Sequence, residues 1–278
     1  MQGQHIGFDN RANGGDAEAI SPSRRLVCDG ETSVIDFASW VVALLAARRS
    51  ADDMVLRPDL LETLVDAAMS DHQAAMSDVM AELVRRKVSL ASVSDVYIPA
   101  AAARLGDDWM DDRISFSDVS LATSRLQSLL RAISAAWSDD IAGADRAAPC
   151  LLLCVMPGEQ HTLGAMVLMG QLRRSGVSVR LSLGLDREGL AAFFDTMRFD
   201  GVLVSASEGT SIAKLAGFVQ MLRALGHFGL PVVIGGGVVR RGGDLSAAGA
   251  DAVAGDIGQA LMACGLRNWK DGRARLRA

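Results

Sequence analysis

His161 is the residue whose type and surroundings are best suited to chemistry. It lies in the stretch 157-PGEQHTLGAMVL-168, two residues after Glu159 and three residues before Gly164. The residues before this stretch form an apolar run of strand length, and those after it are typical of a helix. An imidazole can bind a metal or transfer a proton, and a neighbouring carboxylate can orient its second ring nitrogen. A single histidine in such a loop is weak evidence for a functional site, so its interpretation depends on the secondary-structure elements around it.

The second half of the chain alternates short apolar runs with helical patterns. The predicted strands are residues 150–156, 177–183, 201–207, 231–237 and 250–255, and the helices that follow them are residues 164–176, 187–197, 211–225, 239–249 and 256–265. Such alternation predicts an open, doubly wound parallel sheet, in which ligands bind beyond the carboxyl ends of the strands. The residues that fall at these ends are His161, Ser205, Ser207, Gly235 and Gly236. They come from the first, third and fourth strands, so we expect them at one edge of the sheet.

The first half of the chain is predicted to be helical. Apolar residues recur at helical spacing in four segments, residues 59–71, 74–87, 93–109 and 117–137, and Pro99 is expected to kink or break the third. Four helices joined by short turns predict a bundle. The predicted organisation is a mobile arm, a helical bundle cap, a linker, an α/β domain and a tail, at residues 1–32, 33–137, 138–149, 150–266 and 267–278.

Composition narrows the class of protein. The chain has 278 residues, 50% of them hydrophobic and 22% charged, with a formal net charge of −5. This excludes a basic nucleic-acid footprint over the chain as a whole, and the basic residues 267–278 are interpreted as a solvated tail. Cys150 and Cys154 would stand roughly 13 Å apart on a strand, too far to share a metal. With Cys28 and Cys264, they are interpreted as reduced, mostly buried thiols of a cytoplasmic protein without a signal peptide.

The loops of the second half resemble those of the cobalamin-binding domain. That domain carries an acid-x-His-x-x-Gly loop after its first strand, a serine-containing end of its third strand and a Gly-Gly pair after its fourth. The corresponding residues here are Glu159, Gln160, His161, Thr162, Leu163 and Gly164, then Ser205 and Ser207, then Gly235 and Gly236. The stretch 249-GADAVAGD-256 resembles the family's last strand, and 106-GDDWMDDRISFSDVSLATSRL-126 resembles its four-helix cap. The resemblance covers residues 55–265 and implies a flavodoxin-like (Rossmann-type) domain with a five-stranded parallel sheet behind the cap.

The resemblance implies how the histidine would bind cobalamin. His161 would be the lower axial ligand of cobalt, in place of the cofactor's own nucleotide base. Glu159 would orient the imidazole through its second ring nitrogen. The family more often has aspartate at the position of Glu159, which implies a longer or differently angled bond here.

The displaced nucleotide tail would run into the crevice of the sheet. Ser205 or Ser207 would bond its polar atoms, although the family usually has an aliphatic residue at the position of Ser207. Gly164 would let the following helix start close to the tail, and Gly235 and Gly236 would let the backbone pass it.

The cap is expected to cover the upper face of the corrin ring. Trp109 would lie over that face, and the alternative is a tryptophan of the bundle core or its end. Caps of methyl carriers and light sensors often carry a Glu-His pair after the tryptophan, but this chain has Val119 and Ser120 there. Because the cap lacks the histidine of that pair, His5 in the N-terminal arm is a candidate for the upper ligand.

The chain resembles more specifically the PpaA/AerR family, antirepressors of photosynthesis genes. The shared features are the loose N-terminal arm, a lone cobalamin-type domain and the cap stretch 114-ISFSDVSLATSRLQSLLR-131. The resemblance implies a cobalamin-responsive regulator, not an enzyme, that binds a PpsR/CrtJ-type repressor and does not read DNA itself. Adenosyl- or hydroxocobalamin would be the cofactor, and light, oxygen or cofactor level the signal. The alternatives are a corrinoid methyl carrier for a separate methyltransferase and a haem-binding redox sensor, because imidazole also binds haem iron.

Overall fold

The computed structural model describes residues 55–266 except for residues 73, 142–147 and 243. These residues form a helical cap followed by an α/β domain, as the sequence predicts. The predictions for the N-terminal arm, including His5, and for the C-terminal tail lie outside the described residues. None of the described helices is both long and apolar enough to cross a membrane.

The cap consists of helices whose apolar stripes face one another. Its described elements are α1 (Pro58–Met69), α2 (Ala75–Arg85), α3 (Leu90–Ser92), a π turn (Val93–Tyr97), α4 (Ile98–Met110) and α5 (Phe116–Ile141). The π turn joins α3 and α4 into one helical run, so four runs are present in the described part of the cap. Their predicted apolar faces are buried, for example at Leu64, Leu83, Leu105 and Leu126. Each such side chain stabilises the bundle by about 1.5–3 kcal/mol when fully buried.

A π turn lies just before the proline at which the sequence predicts a kink. The chain stays helical there, because the Ile98 N–H donates to the Val93 carbonyl and α4 carries Pro99 in its first turn. Proline has no N–H to donate, and the wide turn before it accommodates its ring without ending the helix. The buried Tyr97 hydroxyl accepts a hydrogen bond from the Arg57 N–H at 3.1 Å. This bond ties the π turn to the start of α1.

The second half of the chain forms a five-stranded parallel sheet covered by helices. The strands are β1 (Cys150–Val155), β2 (Ser178–Leu183), β3 (Gly201–Ser205), β4 (Val232–Gly235) and β5 (Ala252–Val253), in the spatial order β2-β1-β3-β4-β5. The helices that follow the strands are α6 (Leu163–Arg174), α7 (Arg187–Thr196), α8 (Ile212–Leu225), α9 (Gly237–Arg240) and α10 (Ile257–Ala263). All four strand pairings are parallel. This is the flavodoxin-like order that the sequence predicts, and it opens a crevice between the loops after β1 and β3.

Two apolar layers cover the two faces of the sheet. Leu152 and Cys154 of β1 pack in the same layer as α7 and α8, whereas Leu151 and Leu153 pack with α6 and α10. A strand that is buried on both faces needs an apolar residue at every position. The continuous apolar run at residues 150–156 follows from this burial.

The cap packs onto the α/β domain through helix α6. Met166 and Val167 on α6 belong to the same buried apolar cluster as the cap residues. Arg174 at the end of α6 forms an ion pair with Asp95 in the π turn, and the two side chains are 21% and 11% exposed. The attraction between two largely buried charges offsets the cost of their desolvation only when the two groups are held in a defined geometry. This ion pair therefore fixes the orientation of the cap against the sheet.

Some element boundaries differ from the sequence prediction. Strand β3 ends at Ser205, and helix α5 continues to Ile141, into the segment predicted as a linker. The predicted helix at residues 239–249 is wrong, because the described residues of this segment form only the end of α9 and a 3-10 turn at Ser246–Ala248. Gly242 and Gly249 have φ angles of 70° and 74°, which an α-helix does not allow.

Candidate functional site

The crevice brings together loops from three neighbouring strands. His161 lies in the loop after β1, Ser207 and Thr210 lie in the loop after β3, and Gly236 directly follows β4. Strand β3 pairs with β1 on one side and with β4 on the other. Because all three strands are parallel, their carboxyl ends meet at one edge of the sheet, at the point where the strand order reverses.

His161 presents an exposed imidazole at this edge. Its side chain is 82% exposed, and its Nδ1 atom lies 4.0 Å from Oε2 of Glu159. That separation exceeds the length of a hydrogen bond, so the carboxylate acts on the ring through its charge. The two side chains are neighbours, as the sequence predicts, but the direct bond is not formed in this structure. An imidazole with so little protein contact is open to an incoming ligand.

Glu159 is held by the loop after β3. The Thr210 hydroxyl donates a hydrogen bond to Oε1 of Glu159 at 2.6 Å, and the Ser207 hydroxyl lies 3.2 Å from that of Thr210. Thr210 is buried, and its N–H donates to the Ser207 carbonyl. One carboxylate oxygen of Glu159 is thus fixed by Thr210, while the other faces His161.

The surroundings of Glu159 keep it negatively charged. Burial alone would raise its pKa, but hydrogen bonding by Thr210 and Ser207 and the charges of His161 and Lys214 outweigh burial, so the pKa of Glu159 lies below its ordinary value. A negative charge beside an imidazole strengthens the ring as a metal ligand.

Thr210 is a site residue that the sequence pattern does not identify. Its position is the available signal, since it lies three residues after Ser207 in a loop that follows a strand of the site. A hydroxyl 51 residues away from Glu159 is otherwise indistinguishable from any loop threonine.

The rest of the predicted ligand loop connects His161 to the cap. Gln160 is exposed, and its carbonyl accepts a hydrogen bond from the Thr162 N–H at 3.0 Å. The Thr162 hydroxyl accepts a second one from the side-chain amide of Gln127 on α5, at 3.1 Å. Leu163 packs against the apolar cluster of the cap. The loop is therefore anchored to the cap on its C-terminal side.

The three predicted glycines of the site differ in how closely other atoms surround them. A Cβ atom on Gly236 would stand 2.6 Å from the Ala206 carbonyl oxygen and 3.2 Å from Oγ of Ser205, and the φ angle of Gly236 is +91°. A Cβ atom on Gly235 would lie 3.1 Å from a carbonyl oxygen just after β5. Gly164, in contrast, is exposed, and a Cβ atom there would meet nothing within 4 Å. Close packing between strand ends accounts for the glycine pair, whereas the start of α6 has open space at Gly164.

Trp109 lies at the surface of the cap and not in its core. Its side chain is 43% exposed and contacts the ring of Phe116, itself 70% exposed, with ring centroids 6.1 Å apart. On α5, Phe116, Ser120 and Gln127 share one side of the helix, because successive residues rotate by about 100°. Phe116 and Ser120 therefore lie on the side that contacts the His161 loop, and both are exposed.

His161 offers one imidazole nitrogen to a metal. Among the described residues, no group of three or more His, Cys, Asp or Glu side chains is placed to hold a metal ion. A single imidazole suits the axial position of a metal that a macrocycle already carries.

The buried cysteines among the described residues are not metal ligands at neutral pH. Burial raises the pKa of the Cys154 thiol to about 12 and that of Cys264 to about 11, so neither is a thiolate at neutral pH.

The architecture also occurs in a solved structure. The protein is similar to the monomethylamine corrinoid protein of Methanosarcina barkeri, with a TM-score of 0.55 and 16% sequence identity, over 76% of this chain and 97% of that one. This likeness shows that a helical segment and a parallel sheet of this kind occur together in a known fold. No family model matches the chain.

A sequence comparison identifies a relative in a photosynthetic organism's gene cluster. The chain is 39% identical over 171 residues to the uncharacterized 20.5 kDa protein in the bchF-crtJ intergenic region of Rhodobacter capsulatus, across 61% of this chain and 88% of that protein. Identity at this level over most of the relative's length indicates common descent. The chain therefore belongs to the family of the 20.5 kDa protein encoded between bchF and crtJ.

Proposed function

We propose that the protein is a cobalamin-responsive regulator that binds its cofactor through His161. The observation that carries the proposal is an exposed imidazole paired with a fixed carboxylate, at the carboxyl edge of a sheet and in a loop anchored to a cap. A solved relative with the same fold is named as a corrinoid protein, which supports a corrinoid as the ligand.

The residues of the site fit a corrinoid. His161 would bind the lower face of cobalt, and Glu159 would keep the imidazole electron-rich. The open space at Gly164 would admit the nucleotide tail beside the start of α6. The exposed rings of Trp109 and Phe116 offer an apolar surface to the upper face of the corrin ring. When bound as an alkylcobalamin, the cofactor would supply a cobalt–carbon bond that light can break.

The binding experiment compares the wild type with His161→Ala. Each protein is incubated in the dark with adenosylcobalamin, hydroxocobalamin or haemin, then desalted, and its absorption spectrum is recorded. His161→Ala should lose most of the retained cobalamin yet unfold at the wild-type urea concentration, because the side chain is 82% exposed. His72→Ala, which removes another exposed histidine, is the control and should bind like the wild type.

Two outcomes would contradict the cofactor assignment. An unchanged cobalamin spectrum in His161→Ala would show that the lower ligand is a different residue. Uptake of haemin by the wild type without uptake of either cobalamin would make haem the cofactor.

We propose His5 as the ligand that fills the upper position after illumination. The cap carries Val119 and Ser120 where related caps carry a Glu-His pair, and His5 in the N-terminal arm would supply the imidazole that the pair lacks here. Removal of residues 1–20 should then change the spectrum of the illuminated protein. Identical illuminated spectra would exclude His5.

The regulatory role is supported by family context. The gene of the relative lies between bchF and crtJ, and the chain resembles antirepressors that bind a PpsR/CrtJ-type repressor. The repressor would supply the contacts with DNA, since a chain with a net charge of −5 neutralises DNA phosphates poorly. The protein would then act by binding a partner and not by catalysis. A corrinoid methyl carrier is the second candidate, because the solved relative is named for monomethylamine.

A purified PpsR/CrtJ-type repressor and its operator test the regulatory role. Cobalamin-loaded protein should capture the repressor in a pull-down and release it from DNA in a gel shift. Cofactor-free protein should bind about tenfold more weakly, which requires about 1.4 kcal/mol of coupling between the two sites. Salt-resistant binding of DNA by this chain alone would contradict the proposal. An unaffected repressor, together with transfer of methyl from bound methylcobalamin to a thiol acceptor, would favour the carrier.

A further inference from the structure

Two arginines flank the loop after β3, at the same edge of the sheet as the candidate site. Arg240 ends α9, and Arg241 follows it. Arg241 Nη1 donates a hydrogen bond to the Glu208 carbonyl at 3.1 Å. Arg240 Nη2 lies 3.6 Å from the point where a Cβ atom on Gly237 would stand, and the Glu208 backbone nitrogen lies 2.9 Å from the same point. Both guanidinium groups therefore lie close to the backbone of the loop after β3.

The described cations at this edge of the sheet are not ion-paired. Within the described part of the chain, Arg240, Arg241 and Lys214 form no ion pair with an Asp or Glu side chain, whereas Arg104 in the cap pairs with two carboxylates. The charge of Lys214 acts on Glu159, which places this third cation near the site. Arg240 and Arg241 are exposed, so both guanidinium groups are open to an anion.

The backbone at this edge is also suited to an anion. Helices α6 and α8 begin here, and the N-terminus of a helix carries a partial positive charge. The exposed Gly236, with its φ of +91°, follows β4 and brings a bare backbone segment to the same edge. Arginines, helix N-termini and a glycine-rich turn are the features with which proteins bind phosphate groups.

We infer that Arg240 and Arg241 bind the phosphodiester of the cobalamin nucleotide tail and so select complete cobalamin over corrinoids that lack the nucleotide. The inference rests on the proposed function and specifies which part of the cofactor the protein recognises. The phosphodiester is the anionic group of that tail, whereas the amide side chains of the corrin ring are neutral. A guanidinium donates two parallel N–H groups to phosphate oxygens, a geometry that an ammonium group does not provide.

The test compares hydroxocobalamin with diaquocobinamide, which has the same corrin ring but no nucleotide and no phosphodiester. Equilibrium dialysis gives the dissociation constants of the wild type and of the double variant Arg240→Gln/Arg241→Gln. The double variant should bind hydroxocobalamin about tenfold more weakly and cobinamide within about twofold of the wild type, as expected for loss of a charged hydrogen bond. Arg187→Gln is the matched control, because it removes an exposed cation at the start of α7, after the carboxyl end of β2. It should change neither constant.

Equal weakening toward both corrinoids, or no weakening toward hydroxocobalamin, would overturn the assignment. A wild type that binds neither corrinoid would instead overturn the proposed function, so the two failures are distinguishable. Wild-type affinity of the double variant for cobinamide would also show that its fold and its His161 site are intact.

Discussion

The side-chain amide of Gln127 donates a hydrogen bond of 3.1 Å to the hydroxyl of Thr162, the residue directly after His161. The two partners are 35 residues apart in the chain, and their bond joins cap helix α5 to the loop after β1. A displacement of the cap would therefore act on the loop that carries the imidazole. Conversely, a ligand that moves His161 would act on the cap through this hydrogen bond.

Gln127→Ala should lower the free energy of unfolding by about 0.5–1.5 kcal/mol, because it removes one partly buried hydrogen bond. Urea unfolding of the cofactor-free protein measures this change. Ser124→Ala is the control, since Ser124 is an exposed residue of the same helix, and it should cost less than about 0.5 kcal/mol. Equal costs for both variants would show that the bond does not contribute in solution.

Thr210→Val should lower the stability of the protein at neutral pH and make that stability depend less on pH in acid. Burial works to raise the pKa of Glu159, and hydrogen bonding from Thr210 and Ser207 is what holds that pKa below its ordinary value. A carboxylate with a lowered pKa stabilises the fold at neutral pH, and this contribution is lost as the pH falls through the lowered value. Valine keeps the shape of threonine but lacks the O–H donor. The pKa of Glu159 should therefore rise toward its unfolded-state value, so less stability is present at neutral pH and less is lost as the pH falls.

Urea unfolding at several pH values from about 7 down to about 3 tests this prediction. Thr210→Ser keeps the hydroxyl and should follow the wild-type profile. Glu159→Gln is uncharged at every pH, so its stability should depend less on pH than that of the wild type. Coinciding profiles of Thr210→Val and the wild type would show that the Thr210 hydroxyl does not control this carboxylate.

Asp95→Ala should destabilise the protein by about 3 kcal/mol, because it removes the carboxylate from a largely buried ion pair. Its partner Arg174 lies on α6, so the loss would fall on the contact between the cap and the sheet. Glu62→Ala provides the comparison, since its 2.9 Å pair with Arg104 joins side chains that are half exposed, and its cost should be about 0–1 kcal/mol. Similar costs in the two variants would contradict the role of the buried pair.

Gly236→Ala and Gly164→Ala should have opposite effects on the stability of the protein. Alanine at Gly236 would clash with the Ala206 carbonyl and adopt a strained positive φ, at a cost of about 2–3 kcal/mol. Alanine at Gly164 meets open space inside helix α6 and should stabilise the protein by up to about 1 kcal/mol. The same methyl group would nevertheless weaken cobalamin binding if the nucleotide tail passes Gly164. Dialysis and urea unfolding of both variants separate packing from ligand contact.

The parts of the fold that follow from burial could be predicted from the sequence. Strand β1 is buried on both faces and α5 on one, so their apolar residues form a continuous run and a helical stripe. The loop around His161 could be predicted because its pattern is local. The prediction of a helix at residues 239–249 is wrong because the apolar residues of this segment lie in a short helix and a turn that glycines separate.

Contacts between distant residues could not be predicted. The bonds of Thr210 to Glu159 and of Gln127 to Thr162 span 51 and 35 residues, and no local pattern marks either pair. Gly236 stands in the predicted motif, but its close neighbour is the backbone of β3 and its following loop. Only the fold shows which chain segment approaches a glycine.

The π turn at Val93–Tyr97 holds one residue more than a regular helical turn would need. One residue corresponds to a rotation of about 100° around a helix axis. The extra residue therefore sets the direction in which Trp109, near the end of this helical run, points relative to Leu90 at its start. A single-codon deletion within the turn would remove that residue, and Trp109 would point about 100° away from its present direction while Leu90 stayed in the core. A descendant of this protein could thus keep every residue of the site and still turn a different side of α4 outward.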